Sequence, residues 1–581
     1  MGHIRLHQFF NFNRFNFNKF NLKKSRHYFL FSLLLVLTAN HNSVYGFWDP
    51  AEKIDDLQKY LDSGEFCSRL VGIETGAIQG NNGSGYCEYK GIPFAQPPVG
   101  DLRWRAPQKP LQHEGVLQAT EMGPDCLQTI PNIPNLAAGS SEDCLYLNVW
   151  RPAKPGKYPV MVWIYGGGLL VGSAAWPVYD GANFARKHDV VVVTLNYRLG
   201  ALGYLSHPLL KAEDPNGSHG NYGALDQVAA LEWIQNNILE FDGDPDNVTI
   251  FGESAGGWSV CSLMASPLAS GLFHKAIIQS GGCANVGSEE EGFNDGEKYV
   301  KALGCQNADD VLACMRSKKG STANNNALKT IFQTNKINEL THRTMMYRPH
   351  IDHYFLNDFP DVALAKGEFN VVPLLAGSNQ HEHRLFTGIL PMGWIPKRLT
   401  EAFTRAAIGE DDYDEYKSLY TKREYKATAA AVGAAVMDSN LTCGTYQAVK
   451  SVHAQGEAAY YYQYNYDKHV LGWFIGGGHG LELGLVFDNL DKFPMNILFP
   501  LTFKNDAAEL TASMSSYWAQ FAKTGSPNGD GGEHVFWPSY EAQNEMRMYL
   551  DEPAFVDTTY VQDKCDFWSR NTAFQIADEF K

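Results

Sequence analysis

Three side chains, far apart in the chain, have the types and surroundings needed for acyl transfer. Ser254 lies in Gly252-Glu253-Ser254-Ala255-Gly256, directly after the apolar run Val248–Phe251 and before the apolar stretch Trp258–Met264. A serine at a strand-to-helix elbow needs glycine on both sides, because the tight turn brings neighbouring backbone close and leaves the nucleophile in strained φ/ψ space. A serine hydroxyl is a poor nucleophile at neutral pH. It needs an imidazole to take its proton and a carboxylate to orient that imidazole. His479, in Gly476-Gly477-Gly478-His479-Gly480, offers the first, although a loop histidine in glycine is also compatible with a plain surface turn. Glu382, in Gly377-Ser378-Asn379-Gln380-His381-Glu382, offers the second, just past the apolar run Pro373–Ala376, where catalytic groups of open α/β sheets gather.

Acyl transfer also has to stabilise the oxyanion of a tetrahedral intermediate, best done with fixed backbone N–H groups. Gly166-Gly167-Gly168 follows the run Tyr158–Tyr165, and its amides, unshielded by Cβ atoms, can approach a substrate oxygen. With the amide of Ala255, those of Gly167 and Gly168 are expected to form a three-donor hole.

Such a constellation needs a rigid frame. Tyr158–Tyr165 and Asp189–Tyr197 are continuous apolar runs, too apolar for a strand with one wet face, and so belong at the centre of a sheet. Val248–Phe251, Lys275–Gln279, Pro373–Ala376 and Ala458–Tyr464 supply further strands, with helical patterns between them. Ala224–Asn237 places Leu225, Val228, Leu231, Trp233 and Ile234 close to amphipathic spacing, and Asp506–Lys523 is a second helical pattern. The expected architecture is α/β, a large, mostly parallel, doubly wound sheet with helices on both faces. No repeat or long linker interrupts it, so residues 47–581 are expected to form one domain, with Gly80–Gly85 and Gly529–Gly532 as surface loops.

Composition narrows the function classes. The 581 residues are 44% hydrophobic and 19% charged, the balance of a packed globular protein. The net charge of −16 is the wrong sign for a nucleic-acid binder. Residues 1–46 hold six basic residues and no acid, which leaves the remainder at −22. Those basic residues precede the apolar stretch Tyr28–Ala39 and then Val44-Tyr45-Gly46, the pattern of a secretory signal cleaved before Phe47. The apolar stretch is shorter than the roughly 20 residues of a spanning helix. A secreted, extracellular protein with no stable membrane anchor is expected. The ten cysteines form no Cys-x-x-Cys pair, so disulfides are favoured over a zinc ribbon, and four sequons, at Asn82, Asn216, Asn247 and Asn440, fit the same compartment.

The chain resembles the type-B carboxylesterase and cholinesterase family of α/β-hydrolases. The likeness is carried by GIPFAQPPVGDLRW (91–104), SEDCLYLNVW (141–150), VWIYGGG (162–168), LNYRLGALGYL (195–205), GNYGALDQ (220–227), FGESAGG (251–257) and GSNQHE (377–382). The resemblance implies Ser254, Glu382 and His479 as catalytic triad, in the chain order of that fold, and Gly167, Gly168 and Ala255 as oxyanion hole. It also implies the disulfides Cys126–Cys144, Cys305–Cys314 and Cys443–Cys565. Cys67 and Cys87 have no counterpart in that scheme, but their proximity suggests a fourth bridge, whereas the pairing of Cys261 and Cys283 is left open, buried thiols being one outcome.

Departures from the family narrow the substrate. The Cys126–Cys144 loop has no tryptophan, which choline-cleaving members use to hold a quaternary ammonium, so acetylcholine is disfavoured. Tyr165 and Leu169 flank the glycines where many relatives have His and Phe. His381 and His383 around Glu382 lack a complete metal-ligand set, and no metal or cofactor is implied. The expected activity is a serine carboxylesterase acting on a small-molecule ester through an acyl-enzyme on Ser254. The alternatives are a lipase-like esterase for long acyl chains and a non-catalytic, ligand-sequestering or adhesion relative on the same fold.

Overall fold

Fourteen strands occur among the described residues of the computed structural model: β1 (Val71–Ile73), β2 (Gly76–Gln79), β3 (Asn81–Gly83), β4 (Tyr86–Pro93), β5 (Val116–Gln118), β6 (Tyr146–Pro152), β7 (Tyr158–Ile164), β8 (Val191–Leu195), β9 (Gly243–Glu253), β10 (Lys275–Gln279), β11 (Leu374–Asn379), β12 (Ala459–Tyr464), β13 (Met546–Leu550) and β14 (Phe555–Thr558). The structure describes residues 67–570, apart from 68, 129–138, 323–346, 390–400, 402–403, 406–407, 410, 426–427, 500, 530–533 and 559–561. The expected signal region 1–46 lies outside them, as does most of the expected loop Gly529–Gly532.

Eleven strands form one sheet in the order β14-β13-β12-β11-β10-β9-β7-β8-β6-β4-β3, and β1, β2 and β5 form a small second sheet. From β8 through β13 every neighbouring pair is parallel, and both edges turn antiparallel. The apolar runs β8 and β10 are buried at every position, as strands covered on both faces must be. Trp163 on β7 fills one face, with ring centroids 4.8 Å from Phe251 and 5.0 Å from both Tyr179 and Phe487.

One local expectation needs correction. Gly80–Gly85 is not a simple surface loop, because Asn81–Gly83 pairs with Tyr86–Glu88 as the edge hairpin β3–β4. The helix α1 (Tyr222–Asn237), expected from its amphipathic spacing, is present but buried at more positions than one apolar stripe requires, because β9 and the helices at Gly200–Tyr204 and Ala255–Ala265 pack around it. Of its two carboxylates Glu232 is exposed, while Asp226 is buried with Arg198, which donates through Nη2 at 2.7 Å and through Nε at 2.8 Å. A buried carboxylate is tolerable only with such a partner.

Five disulfides close the fold: Cys67–Cys87, Cys126–Cys144, Cys261–Cys283, Cys305–Cys314 and Cys443–Cys565. Four match the expected pairing. Cys261 and Cys283 are joined rather than left as thiols, because β9 and β10 are parallel neighbours and the segments that follow them come within reach, at a Cα separation of 5.4 Å.

Candidate active site

The elbow is built at the end of β9. Helix α2 (Ala255–Ala265) starts two residues after Glu253, and the intervening Ser254 takes φ 56°, ψ −124°. Such backbone costs about 1–3 kcal/mol and persists only when surroundings enforce it. Here the Ser254 amide donates to the Gln279 carbonyl at 2.9 Å, and the Ser254 carbonyl accepts from Trp258 at 3.0 Å. Glycine is required at 256 because a Cβ there would lie 1.9 Å from the Ile164 carbonyl oxygen of β7.

The glycine run after β7 sits against this elbow. A Cβ on Gly166 would fall 2.9 Å from Ser254 Cβ and 2.8 Å from Glu253 Oε2. Gly167 and Gly168 have φ of 110° and 65°, and their N–H groups donate to no acceptor among the described residues. The Ala255 amide opens α2, where a helix has no internal acceptor to offer it. The three expected oxyanion donors therefore have uncommitted hydrogens, Ala255 next after Ser254 and Gly167 and Gly168 next after Gly166, which packs on Ser254.

Glu382 is the first residue of helix α3 (Glu382–Ile389), and His479 follows the short helix α4 (Gly472–Ile475). Glu382 Oε1 accepts from the Asn379 amide at 2.6 Å, while its Oε2 lies 2.5 Å from His479 Nδ1. The glycine loop is pinned on both sides of the imidazole. His381 N donates to the Gly477 carbonyl at 2.9 Å, Asn379 Nδ2 to Gly478 O at 2.7 Å, and His469 Nε2 contacts Gly476 O at 2.9 Å. His381 thus serves the loop through its backbone, and the His383 ring packs against Tyr425 at 5.7 Å.

The other edge of His479 meets a residue that spacing alone does not single out. Nε2 lies 3.1 Å from Glu253 Oε1, the residue immediately before Ser254, and Ser254 Oγ has no hydrogen-bond partner among the described residues. A third carboxylate, Glu482, is buried nearby, accepting from Asn379 Nδ2 at 2.6 Å and from Gln279 Nε2 at 3.2 Å. Burial would depress the imidazole, but the carboxylates of Glu253 and Glu382 outweigh it and hold His479 well above its ordinary range. Burial pushes Glu253 and Glu482 up, and repulsion adds to it, from Glu482 and Glu382 at Glu253 and from Glu382 at Glu482. The signal for both was present: Glu253 is inside the serine motif, and Glu482 is the lone acid in the run His479–Phe487. The Phe386 ring of α3 covers one side of the imidazole at 5.2 Å.

The model of the carboxylesterase family matches residues 68–568. The chain belongs to the carboxylesterase family. Among carboxylesterases it is 37% identical over 490 residues to a fumonisin B1 esterase of Sphingopyxis macrogoltabida, covering 82% of this chain and 85% of that protein. It is 33% identical to a para-nitrobenzyl esterase of Bacillus subtilis, covering 84% and 96%, and 31% identical to a mouse cholinesterase, covering 86% of each. The crystal structure of a Geobacillus stearothermophilus carboxylesterase superposes with a TM-score of 0.75 at 32% identity, covering 86% of this chain and 99% of that one. The fold is accordingly the α/β-hydrolase fold, and the chain is an enzyme of carboxylic ester hydrolysis.

Proposed function

We propose that this carboxylesterase is secreted and works through an acyl-enzyme on Ser254. The observation that carries the reading is the 2.5 Å contact of Glu382 with His479 Nδ1, which leaves Nε2 turned to the elbow that holds Ser254. Ser254 Oγ attacks the ester carbonyl and passes its proton to Nε2. Glu382 fixes the tautomer and stabilises the imidazolium that forms. The amides of Gly167, Gly168 and Ala255 receive the oxyanion. The alcohol leaves with the proton from Nε2, and water then attacks the acyl-enzyme by the same route. Apo geometries of such sites are loose before substrate arrives, and transfer here requires Nε2 to exchange Glu253 for the serine hydroxyl.

Secretion is supported by the five disulfides, which persist in oxidising compartments. We assign cleavage after Gly46 and glycans to Asn82 and Asn216, whose side chains are exposed. Asn247 is engaged by Lys275 and by the Lys523 carbonyl, and Asn440 Nδ2 donates to Val436 O at 2.8 Å, so these two sequons are less available. The test of the acyl-enzyme reading is hydrolysis of p-nitrophenyl acetate by the wild type and S254A. Turnover should vanish in S254A while the circular dichroism spectrum is unchanged. An S254A rate equal to the wild type would overturn the reading.

A further inference from the structure

The surface beside the site carries an unusual concentration of large apolar side chains. Trp473 is 83% exposed, Phe474 46%, Phe493 60% and Ile497 61%. Single exposed apolar residues are normal, but a cluster is a signature of a binding surface. Two adjoining segments supply it. Trp473 and Phe474 sit on α4, and Ile497 sits on helix α5 (Met495–Leu498), just after Phe493. Val470 N donates to the Leu498 carbonyl at 3.0 Å, and the rings of His469 and Phe499 lie 5.4 Å apart, so the two segments are fastened side by side.

This surface continues into the site. Helix α4 packs against α3, the helix of Glu382. From α3, Phe386 touches the His479 ring on one side and is 36% exposed on the other. Trp473 is six residues before His479 on the segment that delivers it. The polarity is equally specific. Neither Val470–Gly478 nor Phe493–Phe499 contains an ionisable side chain. A chain with net charge −16 offers no attraction to an anionic surface.

We propose that Trp473, Phe474, Phe493 and Ile497 form a docking rim for an uncharged lipid phase, from which the acyl chain of a neutral, sparingly soluble ester passes along Phe386 to Ser254. The occupant is argued from the rim's chemistry: its two segments are apolar, carry no ionisable side chain, with Lys468 and Lys492 outside their ends, and adjoin through Phe386 the imidazole that takes the serine proton. Exposed aromatics give such a surface large contact area at low conformational cost. The proposal rests on the acyl-enzyme reading of Ser254 and His479, and it names the substrate class of that site.

The test compares two substrates on one protein. The wild type and the W473S/F474S and F493S/I497S variants are assayed on soluble p-nitrophenyl acetate and on tributyrin below and above its solubility limit. All four side chains are exposed, so the variants should fold, which melting curves check. Wild-type tributyrin hydrolysis is expected to rise several-fold once droplets form. Each variant should lose about tenfold on droplets, the scale of burying two apolar side chains partly, with p-nitrophenyl acetate turnover within twofold of wild type. Equal rates on droplets, or equal losses on both substrates, would overturn the proposal. So would a concentration-dependent dimer of the wild type that W473S/F474S abolishes, since the rim would then belong to a second copy. A wild type inert on p-nitrophenyl acetate would instead refute the acyl-enzyme reading and the rim with it.

Discussion

Glu253, the residue just before Ser254, places its Oε1 3.1 Å from Nε2 of His479. The imidazole therefore lies between two carboxylates, with Glu382 on Nδ1 at 2.5 Å. This arrangement stabilises the imidazolium of the transition state, but it also makes the neutral base harder to reach.

Only neutral imidazole accepts the serine proton, so kcat/KM falls as pH drops through the value of the cluster. Because Glu253 and Glu382 raise His479, that acid limb is expected above the ordinary imidazole value of about 6.5. E253Q removes one negative charge from beside Nε2, which lowers the imidazole value. The limb of E253Q should move to lower pH by about one unit. A pH–rate profile in both proteins checks it, and an unmoved limb would place the titration elsewhere.

Glu382 has a different task. Its Oε1 is tied to the Asn379 amide, which leaves Oε2 for the imidazole alone. Loss of a triad carboxylate with geometry intact costs about 10⁴-fold in kcat. E382Q should fall by roughly 10³–10⁴-fold in steady-state p-nitrophenyl acetate hydrolysis with little change in melting temperature.

The Arg198–Asp226 pair makes a prediction about stability. Both side chains are buried, and removing one partner of a buried pair costs about 3–5 kcal/mol because the other charge stays uncompensated. D226A should lower the urea midpoint accordingly, whereas neutralising the exposed Lys417–Asp414 pair should change it little.

The frame and the three distant site residues were legible because each depends on a local signal. Continuous apolar runs such as Val191–Leu195 can only be interior strands, and glycine beside Ser254 marks an elbow. The strands β4, β6 and β13 have no clear signal in the sequence, since their composition is mixed and their pairing joins distant segments. The helix at Ala224–Asn237 is found where its pattern places it, but its depth of burial is set by neighbouring helices that periodicity does not reveal. Glu253 and Glu482 were passed over because a carboxylate in an apolar run acquires meaning only from the charges folded against it. The Cys261–Cys283 bond likewise follows from β9 and β10 lying side by side.

The central claim, that Ser254 is the residue acylated during turnover, is tested most directly by a fluorophosphonate probe followed by peptide mass mapping. One equivalent of adduct is expected on the peptide containing Ser254, with none on S254A and much slower labelling of E382Q. Stoichiometric labelling of S254A at another residue, or no labelling of an active wild type, would contradict the account.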